Sequence, residues 1–292
     1  MSFKNTPIPP AAEAAGFTKL AFADDFDDLS NIDFSGEGKP GYLWYADRPF
    51  RMPDMKETDF SFPEESVVHM EPEMCSPLIG ISTYSSKGDC GYTMQYGYLE
   101  ARIRIKIPGK SYVRKTHTWP AFWTLSKKNW MDEKFDHAGE IDVIEMVTIH
   151  EGKPIYTGTL HDWKRHYDEN GKRLKDEYAS NLVNSTGYND YFDYIDEEWH
   201  TYAVLWEPGH VAWYWDNKLM HATRYNEWDK PQFFYRDDPT PLPRLEHRDP
   251  KWESRVWKGA YHVFENDPQV VTLGCRGAWP MDIDWVRIWE KE

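Results

Sequence analysis

Gly139-Glu140-Ile141-Asp142-Val143-Ile144-Glu145 places three carboxylates within six residues of an otherwise apolar, β-branched stretch. Isoleucine and valine between the acids favour an extended backbone. Alternate side chains of a strand share a face, so Glu140 and Asp142 point the same way and Glu145 has the wrong parity. One extra residue in a β-bulge near Val143 or Ile144 restores that parity, and bulges are over-represented beside active sites. The stretch therefore predicts a bulged strand with three acids on one surface.

Around this strand the chain reads as short strands and long decorated loops. Leu99, Ala101, Ile103, Ile105 and Ile107 alternate with Tyr98, Glu100, Arg102, Arg104 and Lys106, the period of a half-buried antiparallel strand. Tyr202, Val204 and Trp206 repeat the pattern. Val211 to Trp215, a polar turn at Asp216-Asn217-Lys218, and Leu219 to Thr223 read as a hairpin. Val270 to Leu273 and Ile283 to Trp289 close the set, and no long amphipathic helical pattern is present. The expected fold is all-β: a jelly-roll sandwich of two curved antiparallel sheets with a concave substrate cleft. Residues 1–16, with Pro7, Pro9 and Pro10, read as an irregular lead-in, and residues 17–292 as a single β-sandwich domain. Three segments, 36–80, 164–197 and 225–262, read as long loops at the rim, where substrate choice is usually set.

Like charges held close push one pKa up and leave another low, which yields one neutral acid and one ionised carboxylate. Those are the two roles of glycoside hydrolysis, whose retaining form needs carboxyls about 5 to 5.5 Å apart. At roughly 3.3 Å of rise per residue, Glu140 and Glu145 must lean together over Asp142 on a curved strand. A solvated strand face and a calcium-ligating cluster are the competing readings of the three acids taken alone.

The flanks carry a resemblance. His117-Thr118-Trp119-Pro120-Ala121-Phe122-Trp123-Thr124-Leu125 precedes the acid strand across a polar loop. Tyr96-Gly97-Tyr98-Leu99-Glu100-Ala101-Arg102, Glu198-Trp199-His200-Thr201-Tyr202 with Trp206, and Asp284-Trp285-Val286-Arg287-Ile288-Trp289 follow a matching order along the chain. Together they resemble glycoside hydrolase family 16 in its longer, bulged Glu-x-Asp-x-x-Glu form, over about residues 17 to 290. The resemblance implies that Glu140 is the nucleophile, Asp142 the acid that tunes and orients it, and Glu145 the general acid/base. It places His161 on a neighbouring strand of the cleft, in Thr159-Leu160-His161-Asp162-Trp163, either touching substrate or as a structural histidine. Trp119 and Trp123 match cleft positions, Trp123 reading equally as core and as sugar platform. Trp163, Trp44, Trp228 and Trp257 complete the expected substrate-binding set.

The bulged form implies a β-1,3-glucan of the laminarin kind or a β-linked galactan such as agarose, porphyran or carrageenan, cleaved internally with retention. Residues 36–80 lack the Asn-Glu-x-x-Tyr-Tyr segment of laminarin-degrading members and carry Gly41-Tyr42-Leu43-Trp44-Tyr45-Ala46 instead. The glucan is ranked first. Transglycosylation and a non-catalytic carbohydrate-binding role on the same sandwich are the alternatives.

With 15 Trp, 18 Tyr and 14 Phe in 292 residues, the chain is rich in flat rings suited to pyranose faces. A formal charge of -15 argues against a nucleic-acid partner, despite the local patch Lys164-Arg165-His166. A polysaccharide or oligosaccharide is the expected partner, with no membrane and a monomeric state. Asp24-Asp25-Phe26-Asp27 and Asp284 resemble the two places from which family members ligate a structural calcium, here through Asp25 and Asp284, although Asp25 stands where glutamate is expected. No other cofactor is required. Cys75, Cys90 and Cys275 lack zinc spacing; Cys75 with Cys90 admits a disulfide. Met1 to Gly16 has no apolar core of a leader's length, and no stretch is apolar over the span of a bilayer. A polymeric substrate nevertheless implies a secreted or periplasmic setting, with cytoplasmic action on imported oligosaccharides as the alternative.

Overall fold

In the strand Gly97–Ile105, Leu99, Ala101, Ile103 and Ile105 are fully buried while Arg102 and Arg104 are half-buried, as a period of two requires. The computed structural model that establishes this describes residues 7–71, 80–107, 119–145, 149–150, 153–154, 156–184, 195–224, 233–235, 238–241, 264–276 and 279–292. Tyr98 and Glu100 are buried too, which alternation alone does not predict. The cover of Tyr98 is the N-terminal lead-in. It is not wholly irregular: Pro10–Ala14 forms one short helix with proline in its first turn, where a missing N–H costs nothing. Ala12 and Phe17 pack on Tyr98, Ala203, Leu205 and Trp289 to make a second small core on the outside of the sandwich.

Among the described residues the two large sheets have ten and eight strands, and two further sheets have two strands each. The first runs Asp238–Pro241, Phe233–Tyr235, Lys218–Arg224, His210–Trp215, Trp199–Glu207, Gly97–Ile105, Met281–Glu290, Val67–Met70 and Phe60–Glu64, with Lys19–Asp24 also paired to Met281–Glu290. The second runs Arg173–Asn184, Thr157–Tyr167, His137–Glu145, Trp119–Ser126, Gln269–Arg276, Ile81–Ser82, Trp44–Tyr45 and Ile32–Asp33. Pairing within both is antiparallel except between Ile32–Asp33 and Trp44–Tyr45. The main core lies between the sheets, where Phe122, Ile141, Val143, Ile144 and Leu273 meet Leu99, Ile103, Val204, Trp206 and Trp213. The two-sheet all-β sandwich expected from the sequence is the architecture the chain adopts.

Hairpin chemistry follows the sequence closely at one turn and departs from it elsewhere. Asp216 and Asn217 have φ of 49° and 62°, the two positive values of a type I′ turn, and Trp215 pairs directly with Lys218. Segments 36–80 and 164–197 are not mere rim loops. The first supplies Trp44–Tyr45 to one sheet and Phe60–Glu64 and Val67–Met70 to the other. In the second, Thr157–Tyr167 and Arg173–Asn184 form one long hairpin closed by a turn in which the Asp168 carboxylate accepts the N–H groups of Asn170 and Lys172. That hairpin is polar on both faces near its tip, so alternation is faint there. Segment 225–262 lies largely outside the described residues.

Candidate active site

The acid strand His137–Glu145 pairs with Trp119–Ser126 as Leu125 to Glu140, Thr124 to Ile141, Trp123 to Asp142, Phe122 to Ile144 and Ala121 to Glu145. Val143 has no opposite number. It is the extra residue of a β-bulge, at the place the parity argument requires. Directly opposed residues share a face, and Ala121, Trp123 and Leu125 alternate along a regular strand. Glu140, Asp142 and Glu145 therefore line one surface, opposite the core that holds Ile141, Val143 and Ile144. The bulge is braced from the core side: the Trp213 indole donates to the Asp142 carbonyl at 2.7 Å and the Tyr156 hydroxyl to the Val143 carbonyl at 2.8 Å. Trp213 reaches across only because Gly158 lies beneath it; a Cβ there would stand 2.4 Å from Nε1.

The neighbouring strand Thr157–Tyr167 completes the cluster. His161 pairs directly with Glu140, and its Nε2 lies 3.0 Å from Asp142 Oδ2 and 3.6 Å from Glu140 Oε1. Trp163 donates its indole N–H to Glu140 Oε2 at 2.7 Å. Burial, reinforced by Asp142, pushes Glu140 up to about 8, with His161 and the Trp163 hydrogen bond pulling the other way. Burial and Asp142 also push Glu145 up to about 8, against which only His161 acts. Asp142, more deeply buried, is raised well above its ordinary value. Three such acids cannot all ionise together; they titrate as one coupled group. The first negative charge is best placed on Glu140, which has both an indole donor and the imidazole beside it. Glu145, with less to support an anion, keeps its proton. Glu140 and Glu145, both raised to about 8, thus share a surface with unequal support for a negative charge, Glu140 being the better supported.

Hydrogen-bonding capacity on this floor is not used up. Thr159 and Trp123 oppose Asp142 on either side, and Thr272 opposes Trp123. Thr159 Oγ1, Trp123 Nε1 and Thr272 Oγ1 are buried without a partner among the described residues. The Asp142 Oδ2 contact with His161 is close but not aligned as a hydrogen bond. Glu140, Asp142 and His161 are also the one set among the described residues whose carboxylate and imidazole atoms lie close enough, within 4.8 Å, to hold a cation.

Other expected site residues fall differently. Trp123 is 7% exposed and packs with Tyr84, Leu125, Trp130 and Val270, so its ring is mainly wall rather than open platform. Trp44 is a correction. It is wholly buried, donates to Asp24 Oδ2 at 2.8 Å and packs against Phe22 and Phe26, so no sugar reaches it. The Trp119 backbone pairs opposite Arg276, but its side chain, with Trp228 and Trp257, lies outside the described residues. Asp25 and Asp284 each face a guanidinium. Asp25 pairs with Arg287 and Asp284 with Arg102, and a carboxylate facing its own guanidinium does not suit a dication. Cys90 is a free thiol near the Gly38 carbonyl and Tyr45 hydroxyl; Cys75 lies outside the described residues. Sequence reasoning missed Asp267, whose side chain takes the Gly139 N–H, and Gln269, which takes the Thr124 hydroxyl, because Asn266-Asp267-Pro268 looks like any turn before a strand.

The chain is similar to known proteins in sequence and in fold. The model of glycosyl hydrolases family 16 matches residues 54–258. An endo-1,3-1,4-beta-glycanase of Rhizobium meliloti is 29% identical over 141 residues, 48% of this chain and 22% of that protein. A beta-glucanase of Rhodothermus marinus is 24% identical over 195 residues, 66% of this chain and 52% of its own length. The chain thus matches less than two thirds of either relative. The laminarinase catalytic domain of Thermotoga maritima superposes with TM-score 0.53 at 16% identity, covering 94% of this chain and 98% of that domain.

Proposed function

Because the chain belongs to glycosyl hydrolases family 16, we propose that it is an endo-acting glycoside hydrolase that cleaves a β-linked polysaccharide with retention, a β-1,3-glucan of the laminarin kind being its preferred class. The observation that carries this reading is the cross-strand register that sets Glu140, Asp142 and Glu145 opposite Leu125, Trp123 and Ala121. Glu140, as the anion, attacks the anomeric carbon while Glu145 gives its proton to the departing glycosidic oxygen. The sugar is then held as an ester on Glu140. Glu145, now a carboxylate, takes a proton from water, which attacks the same carbon and frees Glu140. His161 and the Trp163 N–H support the negative charge on Glu140, while Asp142 opposes it and so keeps the carboxylate basic. The relative named a beta-glucanase supports the glucan class.

Incubation with laminarin, mixed-linkage glucan, agarose, porphyran and carrageenan, followed by sizing of the products, tests the reading. Laminarin should yield a spread of oligosaccharides. Single sugars alone would contradict an endo-acting cleft, and release from the galactans alone would move the substrate class to them.

A further inference from the structure

The end of the acid strand nearest Glu140 is tied by side chains as well as by the ladder. Asp267 is fully buried and precedes the strand Gln269–Arg276. Its Oδ1 accepts the Ser126 hydroxyl at 2.5 Å, and its Oδ2 accepts the Gly139 N–H at 3.0 Å. Lys128 Nζ stands 3.7 Å from Oδ1. The Asp267 carbonyl accepts from Gln269 Nε2 at 2.8 Å, and Gln269 Oε1 in turn accepts the Thr124 hydroxyl at 3.1 Å. Thr124 Oγ1 accepts the Ile141 N–H at 3.3 Å. The two backbone N–H groups that flank Glu140 are thus both held by side chains, and the chain of bonds joining those two side chains begins at Asp267.

A buried acceptor is an expensive way to hold one amide unless the position it holds matters, because removing it leaves the Gly139 N–H and the Ser126 hydroxyl without a partner. Along the acid strand the bulge at Val143 fixes where Glu145 stands. The Asp267 link to Gly139 sits at the other end, one residue before Glu140. We infer that Asp267 is a positioning residue for catalysis, holding Gly139 and through it the Glu140 carboxylate at the separation from Glu145 that bond cleavage needs. This rests on the proposed hydrolase reading, and it assigns Asp267 no contact with substrate.

Asp267→Ala and Asp267→Asn test the inference, with exchange of the Gly139 amide read by NMR and steady-state kinetics on laminarin read well below each variant's melting temperature. In Asp267→Ala the Gly139 amide should exchange faster and kcat should fall about 10- to 100-fold with KM little changed, the signature of misplaced reacting groups. Asp267→Asn keeps an acceptor for Gly139 and a polar partner for Ser126, so it should restore most of kcat and the amide protection. Unchanged kcat and exchange in Asp267→Ala, or a rise in KM at constant kcat, would overturn the inference. Should Asp267→Ala fail to fold, Ser126→Ala, which frees one side of the carboxylate, should lower kcat several-fold at constant KM, and no change in kcat would overturn the inference. If the native chain cleaves no glycan, the hydrolase reading fails by itself, while Gly139 exchange still decides whether Asp267 holds the strand.

Discussion

Two buried glutamates in this molecule each receive an indole N–H, one on either sheet. Trp163 donates to Glu140 at 2.7 Å on the eight-stranded sheet, and Trp289 donates to Glu100 at 2.9 Å on the ten-stranded sheet. Burial raises both, Glu140 to about 8 and Glu100 to about 7, so neither burial nor an indole partner marks a catalytic acid. What differs is the company. Glu100 is eased downward by the Trp289 indole and by Arg287, whereas Glu140 has Asp142 and Glu145 on its own surface and, among the described residues, no guanidinium acting on it. Asp282 on the first sheet shows the opposite limit. Burial pushes it up, but hydrogen bonds from His69 and Arg104 outweigh burial and hold it below the ordinary carboxylate range. A cluster of acids left without a cation retains a proton it can give away, and that is the property acid catalysis uses.

The comparison is broken most sharply by exchanging the two glutamates for glutamine in turn. Glu140→Gln should cut polysaccharide turnover by about 10⁴-fold or more, since it removes the attacking group, whereas Glu100→Gln should leave turnover unchanged. Initial rates on laminarin with both variants at matched circular dichroism decide this. Glu145→Ala comes next. It should slow laminarin cleavage by about 10²- to 10⁴-fold while an aryl β-glucoside with a good leaving group loses far less, because such a group departs without a proton. Equal losses on the two substrates would count against Glu145 as the acid. Trp163→Phe removes one charge-assisted hydrogen bond and should lower kcat/KM about tenfold. It should also move the acidic limb of the pH profile upward, because the indole holds Glu140 down.

The smallest effect is on stability. An acid raised from 4.5 to about 8 on folding takes up a proton between those values, so its contribution is full below 4.5 and is lost as pH rises toward 8. Glu145→Gln removes that loss and should raise the melting temperature by about 2–4 °C at pH 8 but little at pH 4. Glu100→Gln should gain less, its window closing near 7. A melting temperature that drops at pH 8 in Glu145→Gln would contradict the electrostatic account.

Much of this was legible in the residues because the signals are local. The bulge at Val143 follows from three acids and a parity mismatch, and the Asp216-Asn217 turn from two residues that tolerate positive φ. The long Thr157–Asn184 hairpin was not legible, since Lys164, His166 and Lys175 near its tip obscure any apolar alternation. Trp44 was misread for a related reason: an indole looks alike in sequence whether its N–H meets Asp24 in the core or its face meets a sugar. Asp25 and Asp284 suggested a cation, but their partners Arg287 and Arg102 come from strands distant in sequence. Asp267, whose reach to Gly139 spans more than a hundred residues, carries no local signal at all.

In the proposed mechanism Glu140 and Glu145 share one bond cleavage through a covalent sugar ester. Proton NMR of laminarin digestion, recorded from the first minutes, reads the configuration of each newly formed reducing end before mutarotation. The β-anomer should appear first and the α-anomer only later; α-product at the outset would mean a single displacement by water and would contradict the account.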